Sequence, residues 1–324
     1  MATRHLGLDL GATNLKWAVL EQRDGAWSSV ARAQVPTRHR VDPNEVPGAV
    51  VSQLIEVARG AERASGPVST VGIGIPGLYD PATGSTRFLV NVPGPWAGHP
   101  VAGPVRDAIG VPVALINDAR AFGLAELRLG AGRGAASMIG LTLGTGVGGV
   151  IAIDDRVVQG HDGTAGELGH QTIDPDGPPC GCGNHGCLEA FVRADRIAES
   201  CGTSTVEEAV ERARAGDRRA TEGIDRIGRY VGIGIANMIT VITPDRVVVG
   251  GGIAAAADLL FPPIRDEIRR RVRTTSLDTV QLVSAELGTW AGAIGAAIHG
   301  TEPGSRHRPV AGPADISSAK AAAR

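Results

Sequence analysis

Hydrophobic residues run along this chain in short blocks separated by glycine-rich turns, and the first pair of blocks sets the pattern. Residues 5–20 read H-L-G-L-D-L-G-A-T-N-L-K-W-A-V-L, two apolar strands around a Gly-Ala-Thr-Asn turn, which predicts a hairpin. Residues 137–153, S-M-I-G-L-T-L-G-T-G-V-G-G-V-I-A-I, repeat the order of strand, glycine-rich turn and strand. Both turns set a threonine within two residues of a glycine, at Gly11-Ala12-Thr13 and at Gly144-Thr145-Gly146. Backbone N–H groups in such turns can approach phosphate. Two of them, one from each part of the chain, suit a clamp on one nucleotide across a cleft.

Between the hairpins, Val50, Val51, Leu54, Ile55 and Ala58 recur at helical spacing and predict an amphipathic helix over 47–65. Residues 70–75 and 111–116 read as short buried strands. The first ends at Pro76-Gly77, and the second delivers Asn117-Asp118 to its C-terminal end, where open α/β sheets bind ligands. Asp118 is also suited to N-cap a helix over 119–129. Residues 79–104, with Asn91, Trp96 and several prolines, predict a long rigid loop. Further on, Ser204 and Glu207 form a capping box for a helix ending near 215, and a long helix spans 218–241. A strand over 246–249 enters Gly250-Gly251-Gly252, a backbone surface suited to a base or ribose, and a helix begins near Asp258. A strand over 280–284 and a helix over 290–300 complete the fold, and the aperiodic residues 301–324 predict a disordered tail.

A chain of 324 residues suits two domains of ordinary size, and 43% hydrophobic residues are enough for both cores. With 3% aromatics and 46 glycines, those cores are expected to be tight layers of Val, Ile, Leu and Ala. A net charge of -2 leaves no electrostatic footprint for nucleic acid, and Arg269-Arg270-Arg271 is assigned to a helix C-terminus, where the dipole favours cations. No signal peptide or membrane-length apolar run is read, so no membrane partner is expected. Clustered cysteines fit thiolates in a reducing compartment, which points to the cytoplasm, and Cys201 stands apart as a small buried residue.

The densest chemistry lies between Gly166 and Glu189: G-E-L-G-H, nine residues, then C-G-C-G-N-H-G-C-L-E. His170, Cys180, Cys182 and Cys187 are the borderline and soft ligands that a tetrahedral Zn²⁺ takes, and Glu167 and Glu189 flank them. His185 is a rival ligand; Gly183 and Gly186 favour a tight knuckle that turns it outward.

Taken in order, D-L-G-A-T at 9–13, N-D at 117–118, L-G-T-G-V-G-G at 143–149, E-L-G-H at 167–170, the cysteine motif at 180–189 and G-G-G at 250–252 resemble the ROK family over about 5–300. The likeness is greatest to its bacterial glucokinase-type sugar kinases. It implies an α/β, two-domain actin-like ATPase (ribonuclease H-like) fold with a cleft between domains 1–118 and 119–289, the last helix packing back on the first domain. It implies ATP, Mg²⁺ and a structural Zn²⁺, a hexose substrate and a homodimer. By the resemblance Asp118 is the general base, and Gly77, Asn91, Asn117, Asp118, Glu167, His170 and Glu189 hold the sugar. Asp9, Gly11, Thr13, Gly144, Thr145, Gly146 and Gly251 attend the nucleotide, with Mg²⁺ near Asp9. The expected reaction is phosphorylation of glucose at the 6-hydroxyl. Kanosamine, N-acetylmannosamine and N-acetylglucosamine are the alternative substrates, and a sugar-responsive repressor is the alternative of another class. That last reading needs a DNA-binding module ahead of the first strand, where about five residues stand. Ala12 and Val150 replace glycines usual in the family's turns, and Asn14 stands where a cation is frequent.

Overall fold

The computed structural model describes residues 2–302. At its start, β1 (Thr3–Leu10) and β2 (Asn14–Arg23) pair antiparallel, from Thr3 opposite Gln22 to Leu10 opposite Leu15. A strand that the hydrophobic pattern does not announce, β3 (Ala26–Pro36), continues the sheet beyond β2. None of its residues is buried, so it lacks the apolar stripe by which strands are read. After α1 (Val46–Ser65) comes the buried β4 (Thr70–Ile75).

The segment expected to be one long loop, 79–104, is more ordered than that. A two-stranded sheet of β5 (Gly77–Asp80) and β6 (Ser85–Leu89) occupies its start, and α2 (Ala102–Ile109) begins at its end. Between them the indole Nε1 of Trp96 donates to the Val92 carbonyl at 3.0 Å, and Trp96 joins the core. A tryptophan whose N–H is satisfied can be buried whole, and that pins the proline-rich stretch. β7 (Val113–Asn117) closes the sheet, whose order is β3-β2-β1-β4-β7.

α3 (Asp118–Leu129) leads to the second hairpin, β8 (Ser137–Leu143) and β9 (Val147–Ile153), followed by the short β10 (Arg156–Val157). A helical run follows the cysteine motif: α4 (Leu188–Val192), α5 (Ala194–Cys201), α6 (Val206–Arg214) and the long α7 (Arg218–Ile242). α4 and α5 were not expected from the sequence. The cap of α6 is Thr205, not Ser204: Thr205 Oγ1 accepts from the Glu208 N–H at 3.1 Å, and Glu208 returns a carboxylate to the Ser204 N–H. β11 (Arg246–Gly251), α8 (Ala257–Arg271), β12 (Gln281–Ser284) and α9 (Ala291–His299) complete the chain.

The second sheet has the order β10-β9-β8-β11-β12. Its central strand has an antiparallel hairpin partner on one side and a parallel neighbour on the other, as β1 has in the first sheet. The hairpin echo in the sequence is therefore part of a repeat that embraces a whole five-stranded sheet. α9 crosses back onto β1 and β4, where glycine is obligatory: a Cβ on Gly72 would stand 1.7 Å from the Ala296 carbonyl oxygen, and one on Gly7 1.8 Å from that of Ala293. α3 and α9 share a core that also takes in Val150 and Val248 from the second sheet.

Of the expected tail, only residues 301 and 302 are described. Thr301 donates to the Ile298 carbonyl and Glu302 pairs with Arg128 at 3.5 Å; the rest of 301–324 lies outside the described residues. No described helix is long and apolar enough to cross a membrane.

Candidate active site

Both glycine turns line one cavity of about 570 Å³. The first, Gly11–Thr13, is closed by the Gly11 N–H donating to the Asn14 carbonyl at 3.0 Å. Thr37, just past β3, holds it from behind: its hydroxyl donates to Gly11 O at 2.6 Å and its N–H to Thr13 O at 2.9 Å. The unannounced strand thus delivers the clamp on a turn that was legible. In the second turn the Gly144 N–H donates to Gly146 O at 3.0 Å, and the Ala194 N–H at the start of α5 donates to Gly144 O at 2.9 Å.

Gly77, Asn91, Asn117, Asp118, Glu167, His170 and Glu189 line the same cavity. Of the residues assigned to the nucleotide, Gly11, Gly144, Thr145 and Gly146 line it, whereas Asp9, Thr13 and Gly251 do not. Gly251 packs against the backbone of Leu143, one residue before the second turn. Asp9 stands at the end of β1 opposite Lys16 of β2. Burial raises the Asp9 carboxyl to about 6, and the Lys16 charge resists the rise.

β7 ends at Asn117, which caps α3: its side-chain oxygen accepts from Ala119 N at 3.0 Å and from Arg120 N at 3.2 Å. The amide of Asn117 also donates to Gly77 O at 3.2 Å, tying the strand end to β5. Asn117, and not Asp118, is therefore the cap, although Asp118 Oδ1 accepts from Ala119 N at 2.8 Å. Burial pushes the Asp118 carboxyl up to about 7, the Asp9 and Glu167 charges push the same way, and the Ala119 N–H and Arg120 oppose them. A carboxyl with its proton affinity raised toward neutral pH, in a cavity lined by both glycine turns, can accept a proton from a hydroxyl.

The cysteine motif forms the far wall. His170, Cys180, Cys182 and Cys187 bring their ligand atoms within 4.8 Å of one another. Cys182 and Cys187 sulfurs are 3.7 Å apart, as are Cys180 Sγ and His170 Nδ1. Zinc–sulfur bonds of about 2.3 Å at a tetrahedral angle require sulfurs about 3.8 Å apart, so the donor set fits Zn²⁺. Among the described residues His185 is exposed and outside this group. Gly186 explains why: at φ 66° a Cβ would lie 1.6 Å from the Asp174 carbonyl oxygen, so only glycine makes the knuckle this tight. The Asn184 amide and Cys187 Sγ are 3.4 Å apart, which adds a support behind the ligands.

Glu189 joins this wall to the second turn. One of its carboxylate oxygens accepts from the Val147 N–H at 2.9 Å, and the other lies 3.8 Å from Cys180 Sγ. Glu167 Oε1 accepts from Arg120 Nη2 at 3.2 Å. Arg120 escaped the sequence reading. Its one signal is a cation in the first turn of a helix, where the dipole disfavours positive charge.

A family model described as the ROK family matches residues 5–301. The chain belongs to the ROK family. A glucokinase from Halalkalibacterium halodurans is 31% identical to it, over 90% of this chain and 93% of that protein. The structure of a ROK hexokinase from Thermus thermophilus superimposes with a TM-score of 0.80 at 35% identity, covering 92% of this chain and 98% of that one. A ROK family glucokinase from Streptomyces griseus, solved in complex with glucose and AMPPNP, gives 0.77 at 29% identity, covering 92% and 99%. The mixed-sheet α/β fold described above is the fold of these ROK structures.

Proposed function

We propose that this ROK protein is an ATP-dependent hexose kinase that phosphorylates the 6-hydroxyl of its sugar, glucose foremost, with Asp118 as general base. The observation that carries it is one cavity that holds Asp118, both glycine turns and the polar wall of Asn91, Asn117, Glu167 and His170. The repeated five-strand order supports an actin-like architecture of two domains, 1–118 and 119–289, with α9 returning to the first.

Phosphoryl transfer passes through a loose transition state, so positioning and charge dominate and little covalent chemistry falls to the protein. N–H groups of the two turns would hold the phosphates. The sugar hydroxyl attacks the γ-phosphorus as its proton passes to an Asp118 carboxylate oxygen, a step worth about 10²–10⁴-fold in rate. Mg²⁺ that travels with ATP would lie near Asp9, whose carboxyl is buried behind the cavity lining, and would neutralise phosphate charge when bound. Zn²⁺ held by His170 and the three cysteines would serve structure, since it fixes the His170 ring against the cavity. Hydroxyls left unpaired against this wall cost the binding of analogues, which is the basis of sugar selectivity. The thiol-rich metal set supports a cytoplasmic setting.

Phe88 is 58% exposed and Val90 44%, and both line the cavity beside Asn91. That apolar rim favours a second reading, a hexose bearing an N-acyl group whose methyl would lie on it. Incubating the protein with Mg-ATP and a panel of hexoses, amino sugars and N-acyl sugars, with ADP release as readout, tests both. Glucose is expected to turn over fastest; a preference for an N-acyl hexose supports the second reading, and no ADP release with any sugar overturns both.

A further inference from the structure

Arg120 is the largest fully buried side chain of the molecule among the described residues. Its side chain is 1% exposed, yet it lies in the first turn of α3, where a cation meets the positive end of the helix. A buried guanidinium is costly unless its N–H groups are used. Here Nε donates to the Ala165 carbonyl at 2.8 Å and Nη2 to Glu167 at 3.2 Å, while Nη1 is buried and donates to no described residue. These two bonds tie α3 to the 165–167 segment at the edge of the cavity.

We propose that Arg120 is a positioning residue that locks the Glu167 carboxylate onto the sugar and places a fixed positive charge in the same helical turn as Asp118. The inference rests on the hexose-kinase reading. The fork of Arg120 spans two acceptors on the 165–167 segment, so Glu167, 43% exposed on the cavity side, is held in one orientation by a group it cannot displace. The groups that face Asp118 are Asp9 from β1, Glu167 from the opposite segment and Arg120 from its own helix, with Lys16 of β2 behind Asp9. Burial is the chief cause of the raised Asp118 carboxyl, and the Arg120 charge opposes it with a smaller effect than the Ala119 N–H.

The pair makes predictions of opposite sign. Arg120→Gln removes the positive neighbour, and the acid limb of kcat/KM is expected to move up. Glu167→Gln removes a negative neighbour, and the limb is expected to move down. Arg120→Lys keeps the charge and loses the fork, so its limb stays near that of the wild type while the hexose KM rises about tenfold. Carbon-13 NMR titration of the Asp118 carboxyl in aspartate-labelled protein reads the same shifts without turnover. If the wild type releases no ADP with any sugar, the kinase reading fails while the titration still judges the pair. If Arg120→Gln does not fold, Glu167→Gln, altered at a part-exposed site, carries the test. Limbs and titrations that stay in place in folded Arg120→Gln or in Glu167→Gln, or an unchanged hexose KM in Arg120→Lys, would overturn the proposal.

Discussion

Asp118 is placed by three backbone facts: β7 ends at Asn117, Asn117 caps the helix that follows, and the chain turns between them so that the next carboxylate meets the cavity. Its environment then sets its chemistry. With a carboxyl raised to about 7, the fraction able to accept a proton grows as pH rises, so kcat/KM for the sugar is expected to climb from pH 5, reach half its plateau near 7 and level off on the alkaline side, as a pH–rate profile will show. Asp118→Asn is expected to fold, to keep its metal and to lose at least about two orders of magnitude in kcat; near-normal turnover would remove it as the base. The position of Asp118 was legible from its strand and from the N-D pair. Its proton affinity was not, because Asp9 and Glu167, 109 and 49 positions away, come near it only when the sheets assemble.

At the scale of elements, the parts that were read correctly are those with a strong local signature, such as the two hairpins, the amphipathic α1 and the long α7. Those missed have a weak one: β3 is unburied, and α4 is a single short turn after the cysteines. The cap of α3 has a measurable share in stability. Asn117→Ala is expected to cost about 1 kcal/mol and lower the urea midpoint, because the Arg120 N–H loses its acceptor and the Ala119 N–H keeps only Asp118. The cysteine knuckle does more than hold a loop, since Glu189 links it to the turn at Val147. Metal analysis is therefore expected to find about one zinc per chain, lost in Cys182→Ala together with stability and with a rise in the KM for ATP as well as for sugar. A fully stable wild type without metal would refute the structural role.

The whole molecule is a doubled sheet whose halves meet along α3 and α9, with the cavity opening between the two glycine turns. A clamp built from two turns works only if they approach each other. Small-angle scattering is therefore expected to show a smaller radius of gyration with sugar and nucleotide together than in the free protein, and identical curves would count against closure.

By itself the sequence determined the chemistry on offer: which turns could face phosphate, which acids were available, and that His170 with three cysteines could take a metal. Those are properties of residue types and close spacing, which physics reads locally. Tertiary structure alone decided which groups meet. It chose Asn117 over Asp118 as the cap, set Glu189 under the second turn, buried Arg120 against Glu167, and drew Thr37 at the end of an unsuspected strand onto the first turn. Each of these depends on contacts between segments far apart in the chain, where hydrogen-bond geometry and burial are settled only once the core has formed.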